Sequence, residues 1–145
     1  MDTLQVLDIQ ILFPSAPSQD ARSGFLLLPV LRLHLEDGSF FTMGSIPNDT
    51  AIAIYQKIQN QAKGDYRYTS HDVLSEISLI TAVTIDCLVP KSSAFAATLT
   101  LKVEGFSNEM QFQMIPSQAV LLAMTANAPI FVSREMIEIQ QSQSE

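Results

Sequence analysis

The sequence predicts a single α+β domain in which a mostly antiparallel sheet, made of a hairpin and a meander, packs with about four short helices. The 145 residues are 47% hydrophobic, which is enough for one domain with a buried core. Apolar and polar residues alternate over 30–43 and 83–114, a period typical of strands with one solvated face. Apolar residues recur at the helical period over 51–62 and 73–77, which predicts helices between those strands.

The strands are predicted from alternation and turn residues. Asp37-Gly38 lies between two alternating runs, and because glycine accepts a positive φ at no steric cost, it predicts a hairpin that pairs 30–36 with 39–43. An earlier strand is expected at 4–13, followed by a loop at 14–24. The antiparallel meander is expected to contain three strands, at 83–89, 95–103 and 110–114.

Two helices are predicted between the hairpin and the meander. The first begins at Pro47-Asn48 and ends at Gly64, since glycine commonly terminates helices. After a link at 65–68, the second begins at 69–72. It places three apolar residues on one face, namely Val73, Leu74 and Ile77.

The stretch 115–136 is expected to lie at the centre of the domain. Pro116 suits a first helical turn, Ser117 is a good cap, and 119–124 is apolar on nearly every side, which predicts a buried central helix. Asn127 and Pro129 should end it. A buried strand at 130–132 and a last helix from Ser133 to about Ile139 complete the domain, which spans 4–139. Residues 140–145 are expected to form a polar, frayed tail.

Charge and composition narrow the classes of function. The net charge is −7 and the eight Lys and Arg residues form no run, which argues against broad electrostatic binding of nucleic acid. The single cysteine, Cys87, excludes an intramolecular disulfide. No apolar stretch approaches the roughly 20 residues of a membrane helix, and no basic signal region is visible, so a cytoplasmic protein without membrane contact is expected.

The central stretch also resembles a known family. Pro-Ser-x-Ala-Val-x-Leu-Ala from Pro116, followed by Ala-Pro-Ile-Phe-Val from Ala128, resembles the C-terminal signature of the bifunctional nuclease domain family. The resemblance follows the element order over roughly 6–139. Further matching residues are Gly44, Ala51 to Ile54, His71, Asp72, Phe95 and Ala97. It implies metal-dependent hydrolysis of phosphodiester bonds in DNA and RNA, and a homodimer.

The departures from the family pattern fall where chemistry is expected. Family members resemble Asp-x-Arg-Pro-Ser-Asp at the start of the central helix, whereas this chain has Gln113, Ile115 and Gln118 in place of the two acids and the arginine. A glutamate near the start of the first helix is replaced by Pro47-Asn48-Asp49. The loop at 14–24 is also longer than the family pattern.

The candidate catalytic residues are His71, Asp72, Asp49, Ser117 and Gln118. His71 would act as a general base or metal ligand and Asp72 as a ligand or orienting partner, with Mg²⁺ or Mn²⁺ as the cofactor, because imidazole and carboxylate groups can hold such ions and activate water. Asp49 would substitute for the lost glutamate, and either Asp49 or Asp86 would join the pair. The alternative is that Asp72 only caps its helix in a Thr69-x-x-Asp72 capping box and Ser117 only caps the central helix.

Other polar residues have simpler interpretations. His34 is expected on the solvated face of the hairpin, Asp86 as a solubilising charge and Cys87 in the core. Two classes of function therefore compete. One is a family-type nuclease with DNA or RNA as its substrate. The other is a non-catalytic binding or oligomerisation module that retains the fold.

Overall fold

The structure, a computed structural model, describes residues 2–14, 28–60 and 67–143. Most of the predicted 14–24 loop, the predicted helix end at Gly64 and the first part of the 65–68 link lie outside these residues. The described elements are β1 (Thr3–Leu12), β2 (Val30–Leu35), β3 (Phe40–Met43), α1 (Asn48–Ile58), α2 (Ser70–Ile77), β4 (Ser78–Leu88), β5 (Phe95–Val103), β6 (Met110–Met114), α3 (Pro116–Ala126), β7 (Ile130–Ser133) and α4 (Arg134–Gln143).

The seven strands form one sheet in the order β3-β2-β1-β7-β4-β5-β6. The predicted hairpin β2–β3 forms one edge, and the predicted meander β4–β5–β6 forms the other. β1 and β7 join these two parts, and β4 with β7 is the one parallel pair among the described strands. The mostly antiparallel α+β architecture expected from the sequence is therefore confirmed.

The hairpin turn forms at the predicted residues. Gly38 has a φ of 87°, and the Leu35 N–H donates to the Ser39 carbonyl at 2.9 Å. The Ser39 hydroxyl and N–H both donate to the same oxygen of Asp37, and these bonds lower the pKa of that carboxyl. The turn is thus specified by residues that contact one another locally, which is why the sequence could predict it.

One face of the sheet carries the core. In β2, Leu31, Leu33 and Leu35 are buried, while Arg32 and His34 point to the opposite face. The same one-sided alternation recurs in β5. Buried residues of α1, α3 and α4 join the inward strand residues in a single cluster, so these helices cover that face.

Helix α3 is the buried central helix that the sequence predicts. All five residues from Ala119 to Ala123 are buried. Asn127 ends the helix in the left-handed conformation with a φ of 55°, and the Ala128 N–H donates to the Ala123 carbonyl at 2.8 Å. Because α3 contacts α1, α2, β4 and β5, it is surrounded by other elements, as an all-round apolar helix must be.

The apolar faces predicted for α1 and α2 are only partly covered. Ile52 and Tyr55 of α1 are 49% and 40% exposed, and Val73 and Ile77 of α2 are 44% and 61% exposed. None of the eight described residues of α2 is buried. Helical period indicates which residues share a face, but it does not indicate whether another element reaches that face.

The C-terminal helix is longer than expected. α4 extends to Gln143, so the described part of the predicted frayed tail is helical. Gln140 explains the extension, since its side-chain oxygen accepts the Thr42 N–H at 2.9 Å and its amide donates to the Thr42 carbonyl. Thr42 belongs to β3, the edge strand, and the amide thereby satisfies backbone groups that an edge leaves unpaired.

Candidate functional site

The start of α2 brings together two of the predicted site residues. His71 Nε2 lies 4.0 Å from Asp72 Oδ1, and the two side chains are 22% and 17% exposed. The Thr69 hydroxyl lies 3.0 Å from both ring nitrogens of His71. Imidazole, hydroxyl and carboxylate groups therefore meet within one helical turn.

The Asp72 carboxylate accepts hydrogen bonds at the start of its own helix. Its Oδ2 accepts the backbone N–H of Thr69 at 2.9 Å and the Thr69 hydroxyl at 2.9 Å. Thr69 is the N-cap and Asp72 is three residues later, the spacing of a capping box. The geometry agrees with the capping interpretation of Asp72, while its catalytic role and that of His71 stay predictions.

Asp49, the predicted substitute for the missing glutamate, lies in the first turn of α1. It is exposed, and its Oδ1 accepts the N–H of the adjacent Thr50 at 2.9 Å. Among residues 2–14, 28–60 and 67–143, no group of three or more His, Cys, Asp or Glu side chains could hold a metal ion. Asp49 therefore does not complete a three-ligand set with His71 and Asp72.

Among the described side chains, this donor set supplies fewer ligands than Mg²⁺ or Mn²⁺ prefers. Such ions prefer several oxygen ligands in near-octahedral geometry, and the described chain offers one histidine beside one carboxylate that already accepts two hydrogen bonds. The expectation of a metal cofactor thus gains no support from the described side chains.

The start of α3 differs from its prediction at Ser117. Pro116 occupies the first helical position, so the N-cap is Ile115, whose apolar side chain makes no capping hydrogen bond. Ser117 lies one residue inside the helix and is only 2% exposed. The prediction that Ser117 caps the helix is wrong, because proline at the first position shifts the cap to the residue before it. Gln118 is exposed to solvent.

Ser117 lines a cleft of about 600 Å³ between the starts of α1 and α3, which we call the α1/α3 cleft. Its walls come from four separate parts of the chain. The lining residues are Thr42, Met43, Gly44, Ser45, Ile46, Pro47, Val89, Ser93, Ala94, Phe95, Ile115, Pro116, Ser117, Gln140 and Gln143. None of these described residues is ionisable. Of the predicted site residues, Ser117 lines the cleft, whereas His71, Asp72, Asp49 and Gln118 do not.

Sequence reasoning missed most of the cleft. Gly44 and Phe95 carried a signal, since both match the family pattern and both line the cleft beside Pro116 and Ser117. The sequence predicts a frayed tail at Gln140, whereas the structure places Gln140 in the wall. Four family-matching residues therefore meet at this cleft, while two others, His71 and Asp72, lie at the start of α2.

The remaining polar candidates lie on the sheet. His34 Nε2 is 3.4 Å from Gln10 Oε1, and its ring meets Phe40 edge-on, as suits a solvated strand residue. Cys87 is half-buried rather than in the core. The pairing with β5 shifts register between Ile85 and Cys87, so simple alternation fails there.

Cys87 and Asp86 form a small polar group with Gln113. The Cys87 thiol donates to Asp86 Oδ1 at 3.3 Å, and Gln113 Nε2 lies 3.5 Å from the sulfur. Burial raises the pKa of the Cys87 thiol, and the Asp86 hydrogen bond and charge raise it further. Asp86 also accepts the Thr98 hydroxyl at 3.0 Å, so it does more than solubilise its strand.

Comparison with known proteins identifies the family. No helix in the described part of the chain has the length and apolar character needed to cross a membrane. None of the curated proteins compared with the chain matches it. The family model of the bifunctional nuclease domain, however, matches residues 37–145, which is more than half of the sequence. Together with the fold, this match establishes that the chain belongs to the bifunctional nuclease domain family.

Proposed function

We propose that this member of the bifunctional nuclease domain family is a non-catalytic binding module that also self-associates. One observation carries the proposal: the α1/α3 cleft, where four family-matching residues meet, is lined by no ionisable side chain among the described residues. The family fold is retained, while the described walls of this cleft carry no charged group.

Phosphodiester hydrolysis needs groups that this cleft does not provide. A nuclease must activate water and stabilise negative charge at phosphorus, which requires metal ligands, a general base or cationic side chains. The position of the family arginine is occupied here by Ile115, which lines the cleft. The two family acids are replaced by Gln113 and Gln118. The cleft can therefore contact a ligand but offers no group that exchanges a proton near neutral pH.

A second candidate function is metal-dependent hydrolysis of DNA and RNA at the start of α2. The observation that favours it is the half-buried His71–Asp72 pair, with Nε2 and Oδ1 4.0 Å apart. Mg²⁺ or Mn²⁺ would have to complete its coordination with water and with the substrate phosphate, since the described chain supplies few ligands. The charge of −7 also makes a nucleic acid a poor electrostatic partner.

A cleavage assay separates these two functions. Plasmid DNA and a structured RNA are incubated with the purified protein and Mg²⁺, Mn²⁺ or a chelator, beside a His71→Ala/Asp72→Ala variant and a His34→Ala control. The proposal expects no metal-dependent cleavage by any of the three proteins. Cleavage by the parent and the His34→Ala control that is lost in the double variant would overturn it in favour of the nuclease.

Self-association is proposed for the exposed apolar residues around α2, which we call the α2 patch. It comprises Tyr68, Val73, Ile77, Leu79 and Phe106, which are 44–64% exposed. Ile77 lines two neighbouring depressions, one along α2 and one between β4 and the turn after β5, so the patch is continuous. Exposed apolar area of this kind marks interaction surfaces, and the family resemblance implies a homodimer.

The oligomeric state tests this part of the proposal. We expect a dimer by light scattering and a shift toward monomer in Ile77→Lys, because a lysine at the centre of the patch would be desolvated on association. Ile52→Lys is the matched control, since Ile52 is a similarly exposed isoleucine on α1 outside the patch. A monomeric parent, or a dimer that Ile77→Lys leaves unchanged, would contradict self-association through α2. A cytoplasmic location stays a prediction from the sequence.

A further inference from the structure

We propose that the α1/α3 cleft binds an uncharged small organic molecule that has an apolar body and a carbonyl-type hydrogen-bond acceptor. The inference rests on the proposed binding function and specifies its ligand. It is carried by the size of the cleft, by the composition of its walls and by the donors at the start of α3.

The size and walls of the cleft suit a small molecule. Its volume of about 600 Å³ lies in the range typical of ligand sites, and such sites are mainly apolar with a few polar groups. Its apolar wall comes from the side chains of Met43, Ile46, Val89, Phe95 and Ile115. An extended nucleic acid would instead need an open cationic surface.

Ser117 provides a donor with no partner in the described chain. The residue is 2% exposed and lines the cleft, and its hydroxyl makes no hydrogen bond to any described residue. Its oxygen is not among the fully buried atoms without a partner in the described chain, so the hydroxyl keeps contact with solvent in the cleft. An acceptor on a ligand in the cleft would satisfy it.

The backbone at the start of α3 adds donors at the same place. The first N–H groups of a helix have no intrahelical acceptor, and no side chain among the described residues caps Ile115. Pro116 has no N–H, and the Ala119 N–H donates to the Ile115 carbonyl at 3.1 Å. The N–H groups of Ser117 and Gln118 therefore remain at this end of the helix, and they favour an acceptor with partial negative charge.

The ligand is neutral because nothing in the described walls would balance a full charge. No Lys, Arg, His, Asp or Glu is among the described lining residues, and the chain carries a charge of −7. Moving a charged group from water into such a site without a counter-charge is costly. A carbonyl oxygen needs only hydrogen bonds, and Ser117 with the helix start supplies them.

Dye binding tests the inference on the full chain. Nile red is an uncharged aromatic dye with a ring carbonyl, and anilinonaphthalene sulfonate is a comparably apolar dye with a full negative charge. We expect saturable binding of Nile red to the Ile77→Lys variant. This substitution should shift the protein toward monomer and remove dye binding at the α2 patch. Anilinonaphthalene sulfonate should bind at least about tenfold more weakly.

Four further substitutions, each made in the Ile77→Lys background, locate the dye. Ala94→Phe should abolish Nile red binding, since Ala94 is an exposed cleft residue whose enlargement fills the space. Ser117→Ala should weaken binding about fivefold to tenfold without lowering stability. Ser133→Ala is its matched control at a buried serine outside the cleft whose hydroxyl accepts the Met136 N–H, so it should lower stability and leave binding unchanged. Ile115→Arg should reverse the preference between the two dyes.

The outcomes are distinct from those of the cleavage assay. Absence of Nile red binding, binding that Ala94→Phe leaves unchanged, or tighter binding of the sulfonate dye would overturn this inference. None of these results would be evidence for nuclease activity. Conversely, metal-dependent cleavage that is lost in the His71→Ala/Asp72→Ala variant would overturn the proposed function, whatever the dyes show.

Discussion

The starts of α2 and α3 differ in whether a side chain caps the helix. At α2, the Asp72 carboxylate satisfies the Thr69 N–H, and His71 lies beside it. At α3, the cap residue Ile115 provides no polar side chain, and the helix start borders a cleft with neutral walls. The ionisable pair thus lies at the start of α2, outside the α1/α3 cleft, and the described walls of that cleft carry no ionisable group.

This difference shows that retention of a fold and retention of chemistry are separate. The apolar residues of α3 hold the sheet and the helices together, and they remain typical of the family. The family acids and arginine at its start are replaced in this chain, and the fold is retained. A family match over 37–145 is therefore stronger evidence for a shared core than for a shared activity.

The largest expected effect is on the free energy of unfolding, which a truncation in α3 should lower far more than a truncation in α2. Leu122→Ala in α3 should lower the free energy of unfolding by about 2–5 kcal/mol, because Leu122 is 3% exposed and its truncation leaves a cavity. Val73→Ala in α2 should change it by at most about 0.5 kcal/mol, since Val73 is 44% exposed. Urea unfolding measures both. Equal losses would contradict the central position of α3.

A smaller effect tests whether Asp72 acts as a cap. Asp72→Ala should lower the free energy of unfolding by about 1 kcal/mol, since it removes the hydrogen bond that the Thr69 N–H donates. Asp49→Ala is the control, because Asp49 is an exposed acid that bonds only the adjacent N–H in the described chain. Thermal unfolding of the two variants compares them. Equal unfolding temperatures for Asp72→Ala and Asp49→Ala would contradict the capping role of Asp72.

The smallest effect concerns the reactivity of Cys87. Because burial and then Asp86 raise the pKa of the thiol, less thiolate is present at neutral pH than in a free cysteine, and alkylation should be slow. Its rate should rise with pH as the thiol ionises. Asp86→Asn should lower the pKa and speed the reaction at neutral pH, which mass spectrometry after iodoacetamide treatment can follow. Asp8→Asn, at an exposed acid on β1, should leave the rate unchanged.

Much of the fold could be predicted because the decisive signals are local. Asp37-Gly38 specifies its own turn, and Asn127 specifies the end of α3 through its left-handed conformation. The predicted strands of the hairpin and meander follow from alternation along single segments. The cap at α3 differs from the prediction because Pro116 takes the first helical position and moves the N-cap from Ser117 to Ile115.

The site was harder to predict because it depends on distant contacts. The α1/α3 cleft combines residues near Gly44, Phe95, Ser117 and Gln140, and no local pattern indicates that these segments meet. Gln140 illustrates the point, since the sequence predicts a frayed tail there, whereas its side chain accepts the N–H of Thr42, 98 positions earlier. The face of α2 was likewise predicted correctly as apolar, while its exposure depends on what packs against it.

Binding of Mn²⁺, followed by electron paramagnetic resonance, tests the central claim most directly, because it reports a metal site whether or not a substrate has been found. The parent protein is compared with the His71→Ala/Asp72→Ala variant at equal concentration. The account predicts that neither protein reduces the signal of free Mn²⁺ at micromolar metal, since the described residues assemble no three-ligand site. Stoichiometric loss of that signal with the parent, and its return with the variant, would contradict the account and identify the start of α2 as a metal centre.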